Sequence, residues 1–151
     1  MPFKPGDIPF FSRYQFSDTG EERPHFALVL LPESATKYQN SVLCCVITSH
    51  EPKSSKLCCC LRASSYSCFD HDSYVYFNRK DLVSKSGLGP VPQPKATLNP
   101  SDIREAFKKL KRSIYAVPDL VSNDPYLRGA VISEWKSIIK SLPPAAPETI
   151  N

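Results

Sequence analysis

The chain lacks two kinds of apolar segment. No run of apolar residues reaches the length of a membrane-spanning helix, and the N-terminal residues contain no continuous apolar core of the kind found in secretory signals. We therefore expect a soluble, cytoplasmic protein with no membrane partner. Glycine is also scarce, with 5 residues against 15 prolines among 151. Because proline fixes turns and strand edges, this composition disfavours long uninterrupted helices within residues 1–100.

The chain also has no strong excess of charge of one sign. Its net charge of +4 permits an anionic ligand without demanding one, since nucleic-acid-binding proteins usually show a clearer basic excess. A protein partner with an acidic segment fits this charge equally well. Hydrophobic content of 41% and charged content of 23% are ordinary for a globular protein. The length predicts one domain, with room for an appendage.

The six cysteines all lie within residues 44–68, and the CxxC spacing of structural zinc sites is missing. Neighbouring side chains of a strand face opposite ways, so adjacent cysteines cannot all point into one metal site. Cys58, Cys60 and one of Cys44 or Cys45 could share a face, which leaves zinc binding as the alternative. We expect small buried hydrophobic side chains, with no metal and no cofactor.

Short apolar runs separated by polar connections occupy the first half of the chain. They predict a strongly bent sheet or small barrel. The predicted strands are residues 1–12, 26–31, 42–48, 56–61 and 73–77. We expect the polar stretch 13–24 to be a loop, and residues 49–55 to join their flanking strands like a hairpin. Residues 86–100, rich in proline, predict an extended connector.

Two amphipathic helices follow. Asn99 is suited to cap the first, with Pro100 at its first position and an apolar stripe over residues 101–115. The second is predicted to begin at Asp124 and Pro125 and to end before Pro143. We therefore divide the chain into a domain of residues 1–117 and a C-terminal helical extension and tail of residues 118–151.

Arg23 is a candidate for phosphate binding. It precedes a predicted buried strand, and the rigid Pro24 beside it restricts its backbone. The guanidinium group offers a planar fork of donors that matches a phosphate and stays charged at neutral pH. The structural alternative is a surface ion pair with Glu21 or Glu22.

Thr48 and Ser49 end an apolar strand and supply two hydroxyls that can hold a phosphoryl oxygen. Their structural alternative is the hydrogen bonding common at strand ends. His50 follows directly and could share the site. On the last predicted strand Tyr74 and Tyr76 lie on one face, where they either stack on nucleobases or pack against the protein.

The order of these segments resembles the PemK/MazF family of toxin endoribonucleases from type II toxin–antitoxin systems. The resemblance covers about residues 3–116. It is carried by Pro5-Gly6-Asp7-Ile8, Glu22-Arg23-Pro24 running into Ala27-Leu28-Val29-Leu30, Val46-Ile47-Thr48-Ser49, Asp72-Ser73-Tyr74-Val75 and the helix at 101–115.

The resemblance implies a mainly β (α+β) fold, namely a small SH3-like barrel closed by the amphipathic helix, usually as a homodimer. It implies metal-independent cleavage of single-stranded RNA by the ribose 2′-hydroxyl, which leaves a cyclic phosphate, and a cognate antitoxin protein as partner. Carried over by position, the catalytic residues would be Arg23 and Thr48, and the substrate-binding residues Ser49, Glu22, His25 and His50.

One element of the family pattern is missing at its expected place. Some members carry an Arg-x-Asp acid–base pair on the strand equivalent to residues 74–78, where this chain has Val75 and Phe77. A substitute base would come from Glu21, Glu22, His25 or His50. Two other functions therefore stay open: a non-catalytic barrel that binds protein or nucleic acid, and a toxin directed at a protein, as in gyrase-directed relatives of the fold.

Overall fold

The computed structural model describes residues 3–17, 19–31, 40–54, 56–89 and 92–143. These residues form a mainly β, α+β structure. The strands are β1 (Asp7–Ile8), β2 (Phe10–Gln15), β3 (Glu22–Leu31), β4 (Ser41–Thr48), β5 (Cys58–Leu61), β6 (Ser73–Tyr76), β7 (Asp81–Ser84) and β8 (Ala96–Thr97), and the helices are α1 (Pro100–Ala116) and α2 (Pro125–Ser141).

The larger sheet has six strands in the order β2-β3-β4-β6-β5, with β7 also paired to β4. Along one edge of β4, its first half pairs with β7 and its last residues, Ile47 and Thr48, pair with Val75 and Tyr74 of β6. The predicted hairpin across residues 49–55 is therefore wrong, because β6 lies between β4 and β5. Within the described ranges no pairing joins β2 to β5, so closure into a barrel stays a prediction.

A β-hairpin replaces most of the loop predicted at residues 13–24. β2 extends to Gln15, and β3 begins at Glu22. The register shifts between Phe11 and Tyr14, so that β2 holds one residue more than the facing part of β3. The residue of β3 in that interval is Pro24, which has no N–H to offer the ladder and so favours a bulge there.

Three further elements were not predicted. β7 follows β6 after a short turn, and β8 pairs with β1 inside the segment expected to be an extended connector. A 3₁₀ helix, Lys85–Leu88, lies along β2, where the Ser12 hydroxyl donates to the carbonyl of Gly87 over 3.0 Å. A Cβ on Gly87 would stand 2.3 Å from the carbonyl oxygen of Arg13, so only glycine allows this close approach.

The sheet buries a cluster of apolar residues on each face. Successive residues of β3 and β4 alternate between the clusters: Leu28 and Cys45 lie in the larger, helix-covered one, and Val29 and Cys44 in the smaller one. The expectation that adjacent cysteines face opposite ways is thus confirmed for this pair. Cys58 and Cys59 are also buried, as predicted. Cys60 is exposed and Cys68 is half-buried, so the prediction of buried cysteines is wrong for Cys60.

Both helices begin as the sequence predicts. The Asn99 side chain accepts a hydrogen bond of 2.8 Å from the N–H of Asp102, and the Asp124 side chain accepts bonds from Tyr126 and Leu127. The buried stripe of α1 faces the large cluster, with Leu110 fully buried. No helix among the described residues is long and apolar enough to cross a membrane.

Helix α2 packs into the same cluster as the sheet and α1. Trp135 is fully buried and stacks on Phe107, with ring centroids 6.3 Å apart. Its indole N–H donates to the carbonyl of Leu30 over 3.0 Å. Leu30 lies at a register shift in β3 and has no partner residue in β4. The indole therefore supplies a hydrogen-bond donor to a carbonyl at a bulge, where the regular pairing of the strands is interrupted. The boundary at residue 117 stays a prediction.

Candidate functional site

Two clefts adjoin beside the first half of β3 and the C-terminal end of β4. The Arg79 cleft, of about 410 Å³, is lined by Phe16, His25, Val46, Thr48, His50, Tyr76, Asn78 and Arg79. The Phe69 cleft, of about 370 Å³, is lined by Phe10, Pro24, His25, Phe26, Ile47, Thr48, Ser49, His50, Cys68, Phe69, Asp70, His71 and Ser73. His25, Thr48 and His50 line both, so they stand between the two clefts.

A tight turn at the end of β4 positions Thr48 and His50. The Thr48 hydroxyl oxygen accepts a hydrogen bond of 3.2 Å from the N–H of His50, and the Tyr76 hydroxyl donates over 3.1 Å to the His50 carbonyl. The strand-end bonding considered as the structural alternative for Thr48 is therefore present. A hydroxyl that accepts still has its own hydrogen to donate, so this bond leaves Thr48 able to bind an anion in the cleft.

His25 sits half-buried on β3, with its ring 5.5 Å from that of Phe16 and 6.2 Å from that of Tyr14. Burial lowers its pKa below the usual 6.5, and the nearby guanidinium groups of Arg23 and Arg79 lower it further, against the opposing effect of a hydrogen bond with the Ile47 backbone. The imidazole is therefore neutral at physiological pH, and a neutral imidazole can accept a proton.

Arg79 is the charged residue of the site that the sequence interpretation missed. It lies in the turn between β6 and β7, and its guanidinium carbon stands 4.5 Å from the centroid of the Phe16 ring. The stacked guanidinium forms part of the cleft wall. None of the strands predicted from the sequence contains Arg79. Its nearness to His25 arises from tertiary structure, since His25 lies on β3 and Arg79 lies in a turn more than fifty residues later in the sequence.

The Arg-x-Asp spacing sought at Val75 and Phe77 does occur, at Arg79 and Asp81. Val75 and Phe77 themselves are fully buried in the large cluster. Asp81 is also buried, where it accepts bonds of 2.7 Å from the Tyr14 hydroxyl and 2.8 Å from the Ser17 N–H. This carboxylate anchors the end of β2 and does not line either cleft.

The other predicted site residues are divided between the clefts and the neighbouring surface. Ser49 lines the Phe69 cleft beside Thr48. Arg23 lies in the exposed part of β3, with its side chain 63% exposed and 3.4 Å from the Glu21 carboxylate, which is the ion pair considered as its alternative. Glu22 is exposed at the start of β3. Neither Arg23 nor Glu22 lines either cleft.

Aromatic rings form the apolar wall of the Phe69 cleft. Phe26 meets Phe10 and Phe69 edge-to-face, with ring centroids 5.0 and 5.1 Å apart. Asp70 and His71 lie at the rim of the same cleft. An apolar wall beside polar groups suits a flat heterocyclic ring, which can stack on one side and form hydrogen bonds on the other.

The described part of the chain contains no group of three or more histidine, cysteine or acidic side chains placed to hold a metal ion. The Asp70–Asp72 segment, which contains two acidic residues and a histidine, is a polar loop. In it, Asp72 accepts a bond of 2.8 Å from the N–H of Ala63, and Ser73 donates to the carbonyl of His71.

Comparison with known proteins adds one similarity. No protein-family model and no curated protein matches the chain. Among solved structures, it is similar to an endoribonuclease in complex with its cognate antitoxin from mycobacterial species, with a TM-score of 0.53 and 11% sequence identity. The two chains share a fold. The match covers 78% of this chain and 99% of the other.

This similarity supports the mainly β, α+β fold that the resemblance implies, at the level of a fold seen in a toxin–antitoxin endoribonuclease. At this identity it says nothing about individual residues. Membership of the PemK/MazF family stays a prediction, as do the roles of Arg23 and Thr48.

Proposed function

We propose that the protein is an endoribonuclease that cleaves single-stranded RNA at the Arg79 cleft. The observation that carries this proposal is the convergence of His25, Thr48, His50 and Arg79 on one cleft. These residues supply the parts that phosphodiester cleavage needs, which are two groups able to carry protons, a neutral donor and a fixed cation.

The proposed reaction needs no metal. The ribose 2′-oxygen attacks the adjacent phosphorus while the bond from phosphorus to the 5′-oxygen breaks, which yields a 2′,3′-cyclic phosphate and a free 5′-hydroxyl. His25, held neutral by burial, takes the 2′-hydroxyl proton, and the His50 imidazole donates a proton to the departing 5′-oxygen. Arg79 and the Thr48 hydroxyl stabilise the negative charge that grows on the phosphoryl oxygens.

Arg23 and Ser49 keep supporting roles in this proposal. Arg23 lies on the same strand as His25, and its charge lowers the pKa of that imidazole, so it helps to keep the base neutral. It can also bind a phosphate at the outer rim of the site, after leaving Glu21. Ser49 would contact the nucleotide in the Phe69 cleft, whose aromatic wall is suited to hold its base, and Glu22 would act at the rim.

The cellular role is proposed from the resemblance and from the similar structure. The latter is described as an endoribonuclease bound to its cognate antitoxin, which supports a toxin role and an antitoxin protein partner for this chain. We further propose a homodimer, built on a closed SH3-like barrel and acting in the cytoplasm, as the PemK/MazF resemblance implies.

Inducible expression with RNA end mapping tests the proposal. Wild type should slow growth and generate RNA with 5′-hydroxyl ends, and the purified protein should cut RNA in the presence of EDTA. His50→Asn and Arg79→Gln should each lower the cleavage rate by about 10²-fold or more. Lys136→Gln, a change at an exposed position of α2 that lines none of these clefts, should stay close to wild type.

Three results would count against the proposal. Intact RNA in growth-arrested cells would indicate a protein target, and RNA that is bound without being cut would indicate a binding module. Full activity of His50→Asn together with Thr48→Ala would show that cleavage occurs elsewhere on the protein.

A further inference from the structure

A third cleft lies next to the Arg79 cleft and is rich in basic side chains. This Arg112 cleft, of about 380 Å³, is lined by Pro52, Lys53, Ser54, Lys56, Leu57, Cys58, Tyr76, Asn78, Arg112 and Ala116. Its cations come from two separate elements. Lys53 and Lys56 lie between β4 and β5, and Arg112 lies in the last turns of α1.

None of the three cations of this cleft forms an ion pair with a carboxylate in the part of the chain that the structure describes. Lysines elsewhere do: Lys108 on α1 lies 3.8 Å from Glu105, and Lys80 is buried against Asp119. No carboxylate lines the Arg112 cleft. Its field is therefore positive, and a concave surface with one sign of charge concentrates ligands of the opposite sign.

The Arg112 and Arg79 clefts adjoin. Tyr76 and Asn78 line both of them, so the two clefts meet at the end of β6. The Tyr76 ring stands at the junction, and its hydroxyl is fixed to the carbonyl of His50. A bound polymer that runs from Thr48 and His50 towards the Arg112 cleft passes Tyr76 before it reaches Lys53 and Arg112.

We propose that the Arg112 cleft binds the backbone phosphates of the RNA segment that flanks the cleaved bond, with Tyr76 as the surface on which a base stacks. The inference rests on the proposed function. RNA is favoured over an acidic protein segment because the cleft adjoins the proposed site at Tyr76 and Asn78 and because an aromatic wall beside a basic groove is the arrangement that binds single strands.

Salt-dependent binding of an uncleavable strand tests this inference apart from catalysis. The probes are a long single-stranded oligonucleotide and a trinucleotide, both 2′-O-methylated so that the attacking hydroxyl is blocked, measured by fluorescence anisotropy. The test variant is Lys53→Gln, Lys56→Gln, Arg112→Gln. The control variant, Lys95→Gln, Lys136→Gln, Lys140→Gln, removes the same charge from exposed positions outside the three clefts.

For the long strand, the test variant should lower the slope of log K against log salt by about 2, since each phosphate contact with a single strand contributes about 0.7. The control variant should keep the wild-type slope, and the trinucleotide should bind all three proteins alike. Adding Tyr76→Ala should weaken binding of the long strand further, because the stacking surface is lost. Tyr76→Phe should keep the wild-type affinity, because the ring is retained.

Equal slopes for the test and control variants would overturn the inference, as would a test variant that loses binding to polyglutamate but keeps wild-type binding to the oligonucleotide. Failure of the proposed function has a different signature. In that case the wild type binds the 2′-O-methylated strand with the expected slope but leaves unmodified RNA uncut.

Discussion

Replacing Trp135 tests whether α2 is part of the core that supports the site. Loss of a fully buried tryptophan costs about 3–5 kcal/mol, because the substitution leaves a cavity that the neighbours fill only in part. The Leu30 carbonyl also loses its indole donor, which adds about 1–3 kcal/mol for a buried acceptor left unpaired. Set against a typical domain stability of about 5–15 kcal/mol, Trp135→Ala should leave the protein close to unfolding at 25 °C.

Urea denaturation followed by circular dichroism measures the effect, since Trp135 is the only tryptophan and its loss removes the fluorescence signal. Trp135→Phe separates the two contributions: it keeps a ring to stack on Phe107 and loses the N–H, so it should cost about 1–3 kcal/mol. The exposed neighbour Lys136→Ala should change stability by less than about 0.5 kcal/mol. A loss below about 1 kcal/mol for Trp135→Ala would refute the packing argument and support a detachable extension at 118–151.

Three further predictions concern other elements. Because burial lowers the pKa of His25 below 6.5, the folded protein binds that proton less readily than the unfolded chain. Stability should therefore fall as the pH drops below about 6.5, and His25→Asn should flatten the fall in a denaturation series. Asp119→Ala should cost about 3–5 kcal/mol in the same assay by leaving the buried Lys80 ammonium without its carboxylate, and a Lys80→Met, Asp119→Leu double variant should recover much of that loss. Gly129→Ala in α2, where a Cβ meets nothing within 4 Å, should raise stability by about 0.5–1 kcal/mol.

Local signals in the sequence predicted the helices and the central strands. Asn99 and Asp124 cap the helices through bonds that span two or three residues, so the sequence contains all that those starts require. The apolar runs of β4 and of the second half of β3 are recognisable for the same reason, since both faces are buried there and nearly every residue is apolar.

Pairing between strands was harder to predict because it depends on residues far apart in sequence. The bulge in β2 places Phe11 and Tyr14 in the core with two exposed residues, Ser12 and Arg13, between them, and this spacing hides the alternation that marks a half-buried strand. The position of β6 between β4 and β5 has no local signal at all.

The site was predicted in part for the same physical reason. Thr48, Ser49 and His50 lie together at a strand end, where sequence alone indicates an exposed polar turn. Arg79 reaches the cleft from the turn between β6 and β7, and the pairing of both strands with β4 brings it near His25. Arg23 has the residue type expected of a phosphate ligand, but its direction on β3 depends on the hairpin register.

The cysteines lie at increasing depth, five of them in the sheet and Cys68 in the loop between β5 and β6. Cys60 is exposed, Cys68 is half-buried, burial raises the pKa of Cys58 to about 11 and that of Cys59 to about 12, and Cys44 and Cys45 are fully enclosed on opposite faces with their pKa values raised still further. Since only a thiolate alkylates quickly, the order in which these six thiols react with iodoacetamide as urea is raised would record, residue by residue, how the sheet opens from its β5 edge to its centre.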